Sequence, residues 1–162
     1  MSLPDRSHQD WTTDHVVRRA VLEIEAHVAE SGWDQPVRLY ALVPTSDLVV
    51  AEPALAAHLG LDAATAAGSF TPIEQDDVSI DRPLEDILHG ICWPPQVVGC
   101  AAAVERLAQP AVVEVRIVAA ATRDGRAHCA VRMRAHDADD SVLTGADLVP
   151  GLLTLLWQTL AD

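Results

Sequence analysis

The stretch "VVEVRIVAAATRDGRAHCAVRMRAH", residues 112–136, constrains the fold more than any other part of this chain. Two β-rich runs flank Asp124-Gly125, and an Asp-Gly pair in that setting is a strong hairpin signal, because it tolerates the positive φ of a tight turn. A two-residue turn sets Val118 opposite Val131, Ala120 opposite Cys129 and Arg116 opposite Met133 on one face. The other face then carries Ala121 with His128, Ala119 with Ala130, Ile117 with Arg132 and Val115 with Arg134. A three-residue loop with a bulge changes this register, and a slip of one residue moves every side chain to the opposite face.

On the two-residue register the first face reads as core, while the second sets two arginines among small and branched apolar residues. The plainer account is that the arginine stems cover apolar surface while their heads reach water or carboxylates. The functional account makes Arg132 and Arg134 a guanidinium pair that holds an acidic peptide or a small anionic ligand.

The remaining elements follow from periodicity. From Thr13 onward, Val17, Ala20, Val21, Ile24 and Val28 form one helical stripe that ends near Gly32. "VRLYALV" (37–43) reads as a strand between Pro36 and Pro44. Thr45 or Ser46 is the expected cap of the next helical stretch, with a second start at Pro53. "FTPIEQDDV" (70–78) is at best an edge strand, because Pro72 cannot donate to a central ladder. Residues 61–75 otherwise remain open between helix, strand and loop. A short helix carries Leu84, Ile87 and Leu88 from an Asp81 cap to Gly90, and residues 97–107 form a further strand. "DADDS" reads as an acidic loop, and Asp147 as the cap of a final helix with Leu152, Leu153, Leu156 and Leu160 on one face. The expectation is a loose segment over 1–12 and a single α+β domain over 13–162. Its antiparallel or mixed sheet has four to five strands, with N-terminal and C-terminal helices packed on it and one face covered.

Composition narrows the function classes. Acidic residues number 24 against 11 basic ones, a formal net charge of −13. That field repels phosphates and anionic membrane surfaces, so neither nucleic acid nor membrane is an expected partner. The chain has no lysine, which excludes Schiff-base chemistry. Neither a secretory leader nor an apolar run long enough to span a bilayer is seen, and a cytoplasmic location is expected.

His89, Cys92, Cys100, His128 and Cys129 lack the close ligand pairs of structural zinc, and the three cysteines read as reduced and mostly buried. In the loop starting at Asp137, Val142 and Leu148 stand where a calcium loop needs glycine and glutamate. Phosphate-cradling loops and nucleophile elbows are absent. Glu74, Asp76 and Asp77 form a carboxylate group at a strand end, read as a solvated charge run. Trp33 and Trp157 read as packing residues, whereas Trp93, before Pro94-Pro95, is either an anchor for the chain crossover or a platform beside a binding surface.

Several separated segments, "AVLEIEAHVAESGWDQPVRLYALVPTSDLVVAEPALAAHLG", "RPLEDILHGICWPPQVVGCAAAVERL", "VRIVAAATRDGR" and "VLTGADLVPGL", resemble a family of small uncharacterised proteins from actinobacteria. Members of that family often carry a longer acidic insertion after the "VERL" strand, where this chain has Ala108 to Ala111. The resemblance implies no reaction, cofactor or catalytic residue. The resulting expectation is a non-catalytic acidic interaction module, chaperone-like or regulatory, binding a protein partner or a second copy. The alternative is a small-molecule or anion-binding protein or enzyme that uses Arg132 and Arg134. Catalytic residues, a metal and a cofactor are not assigned, and Trp93 joins the two arginines as a candidate binding residue.

Overall fold

The computed structural model describes residues 6–61, 68–76, 82–109 and 112–161, with the side chains of the first helix described from His15 onward. Among the described residues six antiparallel strands form one open sheet in the order β2-β1-β3-β4-β5-β6. These are β1 (Arg38–Pro44), β2 (Phe70–Glu74), β3 (Gly99–Ala108), β4 (Val113–Thr122), β5 (Ala127–Met133) and β6 (Leu143–Gly145). The helices are α1 (Arg6–Glu30), α2 (Thr45–Ala51), α3 (Pro53–His58), α4 (Leu84–His89) and α5 (Pro150–Leu160). The α+β class and antiparallel pairing agree with expectation, but the sheet has six strands rather than four to five. The additional strand is β6, three residues without an alternating apolar pattern that follow the acidic "DADDS" loop and pair with Cys129–Val131.

The sheet is covered on both faces rather than one. On one side the α1 stripe of Val17, Ala20, Val21, Ile24 and Val28 packs on Tyr40, Leu42, Ala101, Ala103, Val118, Ala120 and Ala130. On the other, Leu84 and Leu88 of α4 and Leu152, Leu153, Leu156 and Leu160 of α5 cover Leu39, Cys100, Ala102, Ile117, Ala119 and Cys129. Strands buried on both faces read as continuous apolar runs, which is why "CAAAV" and "IVAAA" show no alternation. Their alanines also leave room for helices to approach the backbone closely.

The hairpin register differs by one residue from the two-residue turn. Arg116 faces Arg132 rather than Met133, and Val118 faces Ala130 rather than Val131. The loop spans Arg123, Asp124 and Gly125, closed by Thr122 N–H to the Arg126 carbonyl at 2.9 Å, with Gly125 at φ 87°. One left-handed glycine after two turn residues is the three-residue hairpin loop, and Asp-Gly satisfies it as well as a two-residue turn.

Other boundaries also shift. Helix α1 begins at Arg6, ahead of the Thr13 start and within the segment expected to be loose. Neither Thr45 nor Ser46 caps α2, which follows Pro44 without a side-chain cap. The Thr45 hydroxyl instead joins Thr71 at 2.8 Å and Ser69 at 2.9 Å, fixing β1 to the start of β2. Asp147 does not cap α5, whose N-cap is Val149. Residues 70–74 form the expected edge strand, while Asp77 and the Asp81 cap lie outside the described residues. No helix among the described residues is long and apolar enough to cross a membrane.

Candidate functional site

The corrected register places Arg116 and Arg132 side by side on the α1 face, where they are 1% and 3% exposed. Two guanidiniums removed from water need counter-charge, and three different elements supply it. Glu25 of α1, itself 3% exposed, takes Arg132 Nε at 3.1 Å and Nη2 at 2.5 Å. Asp137 accepts from Arg132 Nη1 at 2.9 Å, and Asp139 from Nη2 at 2.8 Å. Four of the five guanidinium N–H donors of Arg132 are thus taken by carboxylates. These partners, led by Glu25, push its pKa further up.

Arg116 is held differently. The Trp33 ring lies 4.4 Å from its guanidinium carbon, a cation–π stack, and Nη2 donates to the Gly32 carbonyl. Glu105 lies 3.7 Å away, but its two oxygens accept the backbone N–H groups of Asp34 and Gln35 at 2.9 Å each. Nε and Nη1 of Arg116 are buried and have no hydrogen-bond partner. Trp33 also donates Nε1–H to Asp137 at 3.0 Å, and that bond, ahead of the Arg132 guanidinium, holds the Asp137 carboxyl below the ordinary aspartate value. Arg134 lies at the rim, paired with Asp34 at 2.9 Å and with Glu114 at 3.6 Å.

Arg132 and Arg134 therefore belong to one cluster, but three arginines there face six carboxylates: Glu25, Asp34, Glu105, Glu114, Asp137 and Asp139. The local charge is negative, which works against capture of a free anion. Arg116, Glu25 and Trp33 were missed from sequence as members of this cluster. The readable signal was Glu25 itself, a carboxylate four residues after Val21 and three before Val28, on the buried stripe of α1.

Trp93 lies at the opposite end of the sheet and on the other face. Its indole donates to Thr159 Oγ1 at 3.0 Å and its backbone N–H to the Thr159 carbonyl at 3.2 Å. Arg123 gathers the carbonyls of Trp93 at 3.0 Å, Pro94 at 3.1 Å and Val97 at 2.7 Å, together with that of Leu160 at the end of α5. Trp93 thus anchors the crossover from α4 to β3 against the last turn of α5. Along β4, the six residue steps from Arg116 to Thr122 separate it from the arginine cluster by roughly 20 Å at about 3.3 Å per residue. The structure does not bring Trp93 together with Arg132 and Arg134.

The cysteines and histidines are likewise dispersed. Cys100 and Cys129 are buried under α5, with burial raising the Cys100 thiol to about 11, while Cys92 is exposed. His128 lies on the α1 face, opposite its neighbour Cys129. Among the described residues no group of three or more histidine, cysteine, aspartate or glutamate side chains is arranged to hold a metal ion.

The sequence of the PPA1309-like protein family matches residues 17–114 and 107–161, two stretches that overlap at the β3–β4 connection and together cover most of the chain. The chain belongs to the PPA1309-like family. That family's description names no reaction, ligand or partner. No curated protein and no solved structure matches the chain.

Proposed function

We propose that this PPA1309-like protein is a non-catalytic cytoplasmic interaction module that docks a basic protein partner at the open end of its sheet. The observation that carries this reading is a groove of about 500 Å³ where β4 begins and β5 ends. Val112, Val113, Met133 and Ala135 supply apolar lining, with Glu114, Arg134 and His136 also at the groove, where the Arg134 charge is met by Asp34 and Glu114. Val113 and Met133 continue the core under α5, so the groove is an uncovered extension of the main apolar layer. Val112 is 57% exposed and stands at φ 51°, a left-handed backbone that a β-branched side chain adopts only under strain. Leu107, 56% exposed, adds apolar surface on the adjoining hairpin.

The partner's chemistry follows from charge. Beside an apolar groove, a protein of net charge −13 favours an apolar anchor flanked by basic side chains and opposes an acidic segment. The alternative, an anion held by Arg132 and Arg134, has less support because carboxylates already occupy both guanidiniums.

A photo-crosslinking residue placed at Val112 in cells, with Val50 as the remote exposed control, tests the reading. The expected result is a discrete adduct with a basic protein from position 112 alone, lost on Met133→Glu. An adduct of twice the chain's mass would replace the basic partner with a second copy. Equal labelling from both positions, or none from 112, would remove the reading.

A further inference from the structure

A second cleft, of about 250 Å³, lies between α1 and the β1–β2 edge, away from the arginine cluster. Glu23, Ile24 and His27 line it from the helix, and Tyr40, Pro72 and Glu74 from the sheet. The placement follows from periodicity: Glu23 and His27 are one turn apart on α1, and Tyr40 faces Glu74 across the β1–β2 ladder.

Tyr40 is 3% exposed, yet its hydroxyl is buried with no hydrogen-bond partner. Such an atom costs about 1–3 kcal/mol of lost hydration unless something meets it. Burial pushes the phenol up to about 12, so it stays neutral. The nearby cation, Arg38, is already committed, donating Nε to Glu74 Oε2 at 3.1 Å and Nη2 to Glu74 Oε1 at 2.7 Å. A carboxylate has about four lone-pair sites, so Glu74 can still accept. Glu23 is exposed and forms no ion pair among the described residues. The lining is therefore rich in acceptors: a phenol oxygen and two carboxylates, backed by the apolar Ile24 and Pro72.

We propose that this cleft binds a primary alkylammonium group, whose three N–H donors meet Tyr40 Oη, Glu23 and Glu74 while its alkyl chain lies along Ile24 and Pro72. A primary ammonium supplies three donors and one positive charge in a compact head, which matches this acceptor set. An anion meets two carboxylates there, and a neutral diol lacks the charge they favour. The site is independent of the groove at Val112.

Titration of the full chain with 1,4-diaminobutane tests the site, followed by amide NMR at constant ionic strength, with 1,4-butanediol as the neutral control. The expected result is a saturable shift centred on Ile24, His27, Tyr40 and Glu74, with no response to the diol. Tyr40→Phe and Glu23→Gln each weaken binding by about tenfold or more, whereas Asp140→Asn, at a remote exposed carboxylate, leaves it unchanged. Tyr40→Phe keeps the thermal midpoint at or above that of the parent, because it deletes an unpaired buried hydroxyl. A lysyl peptide that binds more tightly than the diamine would identify the ammonium as a protein side chain, and the reverse order as a free amine; both uphold the site. A non-saturable response, equal shifts with the diol, or full affinity in Tyr40→Phe would overturn it.

Discussion

At the scale of single residues, the Glu25–Arg132 pair carries the largest electrostatic stake, because both members are nearly dry at 3% exposure. Breaking such a pair from one side leaves an uncompensated buried charge, which costs about 3 kcal/mol. Glu25→Gln is therefore expected to lower the urea midpoint strongly. The double change Glu25→Leu with Arg132→Met should cost less than the single one, and a larger loss in the double variant would contradict this account. Asp137 gives the cluster its acid sensitivity. The Trp33 indole and the Arg132 guanidinium depress its folded pKa below the ordinary 3.8. Its contribution to stability is complete above that value and is lost as pH falls through the lower folded value. Asp137→Asn should flatten the stability curve below about pH 4, whereas an unchanged acid slope would assign the effect to other carboxylates. Asp34, depressed by Arg134, acts in the same direction.

At the scale of elements, the closest constraint lies where β3 begins. A Cβ added at Gly99 would stand 2.7 Å from the Ala121 carbonyl oxygen and 3.3 Å from Leu42 Cδ1. Backbone sets the first contact, so side-chain repacking cannot relieve it. Gly99→Ala is expected to cost about 2 kcal/mol, read from the denaturant midpoint, and a neutral result would mean that β3 and β4 separate easily at this end. Much of this level was legible in sequence. The stripes of α1, α4 and α5 are all buried at the residues that their periodicity selects. The hairpin itself was legible but its register was not, since Asp-Gly serves both loop lengths. That one residue decided which arginine faces which, and with it the composition of the candidate site. The Thr45 and Asp147 caps failed for a related reason: the side chains that suit caps also suit links between strands or a place in solvent.

At the scale of the whole molecule, an α/β/α layering encloses the central strands while a net charge of −13 acts on the surface. Self-repulsion of that size opposes the compact state and is screened beyond about 10 Å at 0.1 M salt. The thermal midpoint is expected to rise between low salt and 0.5 M sodium chloride, because the Glu25–Arg132 pair is too buried to be screened equally. A falling midpoint would show that exposed ion pairs, such as Arg106–Glu85, outweigh the repulsion. The same ions should weaken the proposed basic partner at Val112. The sequence by itself determined the α+β class, the apolar stripes and the acidic field, because each is a local or additive property of residue order. The tertiary structure decided the second covered face, the loop register and the grouping of Glu25, Trp33, Arg116 and Arg132. It also formed the clefts at Val112 and Tyr40. Those features depend on which distant side chains end up adjacent after packing, and local periodicity carries no information about residues Glu25 and Arg132, which lie 107 positions apart.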